Sequence, residues 1–376
     1  MRAALTGIFS TGIFSTAILS TAILSSGLLV ACGGGGGDAG GTPQPGALVG
    51  ITASNQDAVA RAAAIAGMAF FGFDDGVATG SGASTSPASV LSAAPANAGR
   101  SSHSISALAR RAAQALADPS EGRRQRLAAG ASNVSARPLA IAPQTTPCSL
   151  SGSETTSFVD ADNNGVLSAG DTMTLTYTQC RDTPAESVSG STAITLVRFE
   201  VINGLGSFAG TLLIQQLTVV EGARTSVVNG SMAMTYTDLS ATETKIVLTV
   251  GASGLVASVS GVGIADTVTF EPGFVLDETD TSSNTSGGLS VASVSIRGDF
   301  SATSISGRVV LETPSPLLQR SSEVYPYAGT LRVVGNGSAL RLVVLDAASV
   351  RVELDAALDG IYESSKVLTW AALLPS

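Results

Sequence analysis

The stretch Ser231-Met232-Ala233-Met234-Thr235-Tyr236-Thr237 decides the fold class, because large apolar side chains alternate in it with small or polar ones. A period of two is that of a β-strand with one buried and one solvated face. The same alternation recurs at residues 198–201 and 350–354. The pattern therefore predicts half-buried strands.

Further strand-like runs fill the chain from Cys148 onward, at residues 209–220, 245–250, 256–262, 289–296, 304–312, 327–334 and 339–345. Turn signals separate them, including Asn203-Gly204, Asn229-Gly230, Pro272-Gly273 and Asn336-Gly337. Ten or more strands in series, with no helical pattern between them, predict an all-β domain over residues 148–376. We expect it to be mainly antiparallel, a curved meander that is either barrel-like or a sandwich, with a short helical region N-terminal to it.

The N-terminus has the order of a secretory signal. Arg2 precedes an apolar run that repeats a five-residue unit over residues 6–25, and small residues then lead to Cys32. The run is long enough to cross a bilayer as an uncleaved helix. Its many Ser, Thr and Gly residues favour cleavage instead, so we predict a signal peptide over residues 1–31.

The ending Leu29-Val30-Ala31-Cys32 resembles the lipobox of bacterial lipoproteins. With the glycine run after Cys32 and the C-terminal Val367-Leu368-Thr369-Trp370, it makes the chain similar to Gram-negative envelope lipoproteins. The resemblance implies cleavage before Cys32 and three acyl chains on that residue, more than the two signals that stable anchoring needs. An Asp at Gly33 would resemble an inner-membrane retention signal, so we expect the outer membrane, on its periplasmic or surface face.

The region between the anchor and the β domain consists of three segments that differ in composition. Residues 32–50 predict a lipidated flexible tether. Residues 51–76 predict a helix with Ser54 as N-cap, whose apolar stripe docks on the β domain. Residues 77–147 are a low-complexity, arginine-containing linker with room for a second helix at residues 104–117.

Charge and residue types exclude several functions. Twenty basic against 29 acidic residues give a net charge of -9, which disfavours nucleic acid as a partner. The single histidine, His103, lies in the low-complexity segment, so neither a Ser-His-acid triad nor a transition-metal site is supported. We predict no catalytic residues.

The three cysteines are expected to serve two different roles. If Cys32 is lipidated, Cys148 and Cys180 remain as a pair in an oxidising compartment, where disulfides persist. Their midpoint is residue 164, so a hairpin folded about that point would place them opposite each other. We predict a disulfide, with two free thiols as the alternative.

Residues 160–171 are similar to an EF-hand calcium loop, with a glycine at position 6. The oxygen ligands at positions 1, 3, 5, 7, 9 and 12 would be Asp160, Asp162, Asn164, the Val166 carbonyl, Ser168 and Asp171. Asp171 is shorter than the usual Glu, and the flanks are β-like, so we expect a weak Ca²⁺ site that rigidifies rather than a sensor. The alternative is a hairpin turn that needs no metal.

A weaker match to the calcium-loop pattern begins at Asp355, with Asp359 and Glu363 at positions 5 and 9. Lys366 at position 12 would oppose a cation, so this segment predicts a turn.

These observations predict a non-enzymatic, membrane-anchored envelope module with a structural role or with a protein or glycan partner. One alternative is a carrier of an apolar ligand or lipid in a curved sheet, similar to the periplasmic lipoprotein-sorting proteins. Another is a carbohydrate-active enzyme, which would need two carboxylates about 5 to 9.5 Å apart.

Overall fold

A computed structural model describes residues 46–71, 139–164, 167–184, 186–202, 205–261, 263–281 and 290–374. These residues form fifteen strands in one sheet and two helices, α1 (Gln56–Phe71) and α2 (Trp370–Leu373). The first seven strands are β1 (Leu139–Pro147), β2 (Ser151–Asp160), β3 (Thr172–Arg181), β4 (Glu186–Ile202), β5 (Leu205–Glu221), β6 (Arg224–Ser240) and β7 (Glu243–Gly261). The other eight are β8 (Ile264–Phe270), β9 (Val275–Thr281), β10 (Val291–Ala302), β11 (Arg308–Arg320), β12 (Ala328–Val334), β13 (Ala339–Val344), β14 (Ser349–Asp355) and β15 (Ser364–Thr369). The predicted signal peptide with Cys32, most of the tether, residues 72–76 of the predicted helical segment and residues 77–138 of the linker lie outside the described residues.

The strands follow one another across the sheet, each antiparallel to the next, as far as β8. β7 is 19 residues long, and its first half pairs with β9 while its second half pairs with β8. β10 pairs with both β8 and β9, and the order then continues to β15. β1 and β15 are the two edges. The prediction of an antiparallel all-β meander is confirmed.

One face of the sheet forms the core. Met232, Met234 and Tyr236 in β6 are at most 4% exposed, whereas the residues between them are partly or fully exposed. Val350 and Val352 in β14 are buried in the same way. The described strands belong to a single sheet, so its apolar face is covered by the sheet folding over itself and by α1.

A line of bulges bends the strands from β2 to β7. At these places the pairing register shifts and a residue takes a positive φ. The residues are Gly152 (76°), Gln179 (47°), Gly190 (111°), Gln216 (50°), Gly230 (141°) and Gly254 (72°). Bulges bend a strand and increase its twist, so this line lets strands of 17 to 19 residues turn and cover their own inner face.

Two sequence predictions fail at this line. Asn229-Gly230 is not a hairpin turn but lies inside β6, because the positive φ of Gly230 forms a bulge. Residues 245–250 and 256–262 are not separate strands, since β7 runs through Gly251 and Gly254. Glycine marks a bulge here instead of a strand end.

α1 lies in the core, as the predicted docking requires. Val59, Ala60 and residues 62–66 are 0% exposed, and the helix contacts α2, β8, β12 and β13. Residues 59–66 are apolar around the helix except at the half-buried Arg61, and a helix segment that is apolar almost all round is buried almost all round. It begins two residues after the predicted N-cap, and Asn55 instead accepts a hydrogen bond from the Thr52 N–H (2.8 Å) in the preceding turn.

The last residues of the predicted tether belong to the fold. The Val49 N–H donates to the Arg308 carbonyl (2.9 Å), and the Val49 carbonyl accepts from the Asn336 N–H (2.8 Å). Leu48 forms a parallel bridge with Arg308. The tether prediction to residue 50 is therefore too long, because these apolar residues pair with the sheet.

β1 lies inside the predicted linker, so the sheet begins at Leu139 and not at Cys148. Pro143 and Pro147 would disrupt a central strand, but β1 is an edge strand, where a missing N–H leaves no partner unsatisfied.

Replacing Gly230 should be costly. In Gly230→Ala the added Cβ would lie 2.6 Å from the Gly254 carbonyl oxygen and 2.8 Å from the Leu255 Cα, at a φ of 141°. We expect a loss of about 3 kcal/mol or more in the free energy of unfolding, measured by urea denaturation. Gly222→Ala is the matched control: its φ is 55° but nothing lies within 4 Å of the new Cβ, so it should cost about 1 kcal/mol. Equal losses would contradict the role of the bulge line.

Candidate metal site in the disulfide-closed hairpin

β2 and β3 form a hairpin that a disulfide closes at its open end. Cys148 and Cys180 are bonded, with their Cα atoms 5.5 Å apart. The strands pair up to Val159 and Thr172, immediately before the loop that joins them. The predicted disulfide and the predicted folding about the loop are both present in the structure.

The two acids that begin and end the loop are buried, Asp160 at 2% and Asp171 at 0% exposure. Asp171 accepts hydrogen bonds from the N–H groups of Ala161 (2.9 Å) and Ser168 (2.7 Å). Its carboxylate therefore joins the two ends of the loop. The sharp turn uses Asn163 at a φ of 58°, a residue type that tolerates the left-handed region.

Asp162 lies between these acids and completes a cluster of three. One carboxylate oxygen from each of Asp160, Asp162 and Asp171 lies within 4.8 Å of the others. The Ser168 hydroxyl donates to Asp162 (3.1 Å), and so does the Asn164 side-chain amide (2.7 Å). Thus four of the predicted ligands bring side-chain oxygens together and Asn164 adds its amide nitrogen, while Val166, the predicted carbonyl ligand, lies outside the described residues.

The hydrogen bonds of the loop favour the ionised form of the Asp162 carboxylate. Loss of surrounding water raises the pKa of Asp162, but hydrogen bonds from its loop neighbours, foremost the Asn164 backbone N–H, outweigh this, and the pKa lies below its ordinary value. The Asp160 side chain is also within hydrogen-bonding reach of Asp162. Two carboxylates this close repel each other unless a proton or a cation lies between them.

The donor set suits a hard cation. Carboxylate, amide and hydroxyl oxygens are the ligands that Ca²⁺ takes in sets of six to eight. β2 ends at Asp160 and β3 begins at Thr172, so the loop joins two strands and has no helices to reorient. Such a site can hold an ion and stiffen a hairpin.

The turn predicted at residues 355–363 has the same plan. Asp355, Asp359 and Glu363 each place a carboxylate oxygen within 4.8 Å of the others. Asp355, 1% exposed, ends β14, and Glu363 accepts from the Ala356 N–H (2.9 Å) as Asp171 does from Ala161. Lys366, which argued against a cation, pairs with Asp57 of α1. The sequence pattern had named these three acids and predicted a turn, and the structure adds that their carboxylates converge.

A third grouping, Cys148, Cys180 and Asp182, is no metal site, because both sulfurs are consumed by the disulfide. Among the described residues, no helix has the length and apolar character needed to cross a membrane.

Comparison with known proteins adds no family. No family model matches the chain, and neither a curated protein nor a solved structure shows significant similarity to it.

Removing the disulfide should weaken the fold measurably. In a Cys32→Ser background, which avoids thiol exchange, the double variant Cys148→Ser/Cys180→Ser should lose about 3 to 4 kcal/mol of unfolding free energy, because the bond closes a chain loop with a separation of 32 residues. Urea denaturation measures this. The parent treated with reductant should reach the same midpoint as the double variant, and an unchanged midpoint would contradict the prediction.

Proposed function

We propose that this protein is a non-enzymatic lipoprotein of the Gram-negative envelope, held at the outer membrane through Cys32, and that its β domain is a structural or interaction module. The observation that carries the proposal is the disulfide between Cys148 and Cys180. Disulfides persist in oxidising compartments, which agrees with export by the N-terminal signal.

The position where the N-terminal chain joins the sheet supports an anchored module. Residues 47–51 bond to Arg308, Asn336 and Ser338, so the anchor segment enters the fold beside β11 and the β12–β13 turn. The thirteen residues between Cys32 and Gly46 could extend at most about 45 Å. A connection of this length would let an anchor at Cys32 tether the β domain.

The packing of the inner face favours a module over a carrier. Inward side chains such as Phe208, Leu212 and Met232 are 0–1% exposed, and α1 occupies the core against β8, β12 and β13. A carrier needs an accessible apolar lining. The described residues use that lining for their own packing.

The surroundings of the buried acids favour a non-catalytic role. Asp266 is 5% exposed and accepts from the Thr303 hydroxyl (2.6 Å) and from the N–H groups of Thr267 (2.9 Å) and Ser304 (3.0 Å). Glu353 is held between Arg341 (2.6 Å) and Arg351 (2.8 Å). Acids so fully engaged stabilise structure, whereas a glycosidase needs a facing pair with room for substrate.

The loop of residues 160–171 is proposed to bind Ca²⁺ and to rigidify the β2–β3 hairpin. Asp160, Asp162 and Asp171 would supply the carboxylates, with Asn164, Ser168 and the Val166 carbonyl completing the set. The proposal is supported by the convergence of three carboxylates within 4.8 Å at a position where two of them are buried.

The anchor has a direct test. The mature protein should carry acyl chains on Cys32 by intact-mass spectrometry and should fractionate with the outer membrane, while Cys32→Ser should not be acylated. Gly33→Asp should shift the protein to the inner membrane, whereas Gly35→Asp, two positions further on, should leave it in place. An unmodified Cys32 thiol would refute the proposal.

The ion has a separate test by calorimetry with calcium or with chelator. At a calcium concentration about 30-fold above the dissociation constant, bound Ca²⁺ should add about 2 kcal/mol, a rise in Tm of roughly 4 to 8 °C. Asp162→Asn should remove most of the difference between the two conditions, because it removes a ligand charge at an exposed position.

Asp346→Asn is the matched control for that experiment. Asp346 also accepts hydrogen bonds in an exposed turn, from the Ala348 N–H (2.8 Å) and the Ser349 N–H (2.7 Å), but lies outside the loop. Its variant should have a lower Tm and an unchanged response to calcium. A calcium response that persists in Asp162→Asn would place the ion elsewhere.

A further inference from the structure

Residues that pair from one strand to the next form a register row across the sheet, and the residue types in one such row change from uncharged to charged. Its outward residues on β2–β6 are Val159, Thr172, Thr195, Thr211 and Ala233. Its outward residues on β10–β14 are Arg297, Glu312, Arg332, Arg341 and Glu353. On the outer face, this row is therefore charged over β10–β14 and uncharged over β2–β6.

Two neighbouring rows widen the uncharged region. They contain Ser157, Thr174, Ala193, Leu213 and Ser231, and then Thr155, Thr176, Ser191 and Gln215. We call these fourteen positions on β2–β6 the hydroxyl face. Six are Thr, three are Ser, none is charged, and all are partly or fully exposed.

The hydroxyl face offers both hydrogen-bonding and apolar surface. Within the part of the chain that the structure describes, the hydroxyls of Thr174, Thr176 and Thr211 have no hydrogen-bond partner. Val159 and Leu213 are 37% and 41% exposed among them. A hydroxyl can donate and accept, so the face can meet a partner whose own groups do both.

One pair, Arg198–Glu200 (3.9 Å), lies on β4 beyond the edge of the hydroxyl face, but the other ion pairs of the described strands are concentrated on β7 and β9–β14. Lys245–Asp277 (3.0 Å), Arg308–Asp299 (2.9 Å) and Arg332–Glu312 (2.7 Å) are examples. A charged partner on the hydroxyl face would lose water without meeting a counter-ion, which is costly. The net charge of -9 also repels anionic glycans. The complementary partner is therefore uncharged.

The size of the face favours a polymer over a second copy of the chain. Four strand spacings and two residue pairs give about 19 Å by about 14 Å, an area of roughly 270 Å². A stable protein interface buries about 800 Å² per partner, so two such faces would be too small. A long chain of repeating units gains from many weak contacts, and a flexible one can follow the twist of the sheet.

We propose that the hydroxyl face binds a soluble, neutral, hydroxyl-rich polysaccharide. Pyranose rings present hydroxyl edges and C–H faces, which match the hydroxyl and methyl groups of Thr. The inference rests on the proposed function as an interaction module and names the partner of that module. It does not depend on calcium.

Affinity electrophoresis of the full, detergent-solubilised lipoprotein tests the inference, with mobility normalised to a gel without polysaccharide. Dextran, hydroxyethylcellulose and galactomannan are the neutral probes, and dextran sulfate is the charged match for dextran. We expect at least one neutral probe to retard the protein and dextran sulfate to do so at least tenfold less strongly. Thr174→Lys/Thr211→Lys should weaken the retardation at least tenfold.

Two further variants keep the result interpretable. Ser365→Lys/Val367→Lys adds the same two charges at exposed positions of β15, in the same register row and the next one, and should bind as the parent does. Thr174→Ala/Thr211→Ala removes hydroxyls without adding charge and should weaken binding about threefold. Each variant is compared with the parent by its unfolding midpoint.

Retardation by no neutral probe, or equal retardation of the lysine variant, would overturn the inference. Stronger retardation by dextran sulfate would also overturn it, in favour of charge recognition elsewhere. A parent dimer that the lysine variant loses, without any effect of polysaccharide, would make the face a self-interface. An unacylated Cys32 would refute the proposed anchor and leave this binding result unchanged, so the two failures are distinguishable.

Discussion

The structure depends on burying one apolar face of a single large sheet. Between the bulges, alternate residues of the described strands point inward, and one 16-residue helix is the main additional cover. A sheet under this constraint has to bend, and the bend falls where Gly190 and Gly230 permit backbone geometry that a Cβ would block. The long central strands, the bulge line and the alanine-rich α1 are consequences of the same requirement. Alanine lets a helix fit where the folded sheet leaves little room.

Local patterns in the sequence predicted the strands well and their continuity poorly. Alternation identifies the inward residues of β6 and β14 because side-chain direction depends only on the local period of two. Asn229-Gly230 has the composition of a hairpin turn, and only the partner strand shows that it is a bulge. β1 escaped prediction because its prolines are tolerated at an edge, and a sequence does not show which strand is an edge.

In the candidate site, too, the sequence predicted some features and not others. Spacing and residue type predicted which acids come together around Asp160 and Asp171, and the cysteine spacing predicted the disulfide. The burial of those two acids comes from the sheet, so the sequence pattern contained no sign of it. The cluster at Asp355 was predicted as a turn because Lys366 falls at position 12 of the loop pattern, and a local pattern does not show that Lys366 pairs with Asp57 of α1. The hydroxyl face needs pairing register across five strands, which no local pattern contains.

Different interactions stabilise the two edges of the sheet. Near β1, the Cys148–Cys180 bond limits the freedom of the unfolded chain. Near β15, the Lys366–Asp57 ion pair stabilises the folded state. The buried Trp370 does so too, since its ring stacks on that of Tyr325 with the centroids 5.5 Å apart. Open edges fray first, so local order is needed most there. An ion in the 160–171 loop would order the far end of a hairpin that the disulfide already restrains. Because less freedom then remains to be lost, the bond should favour ion binding, and by thermodynamic reciprocity the ion should favour the bond.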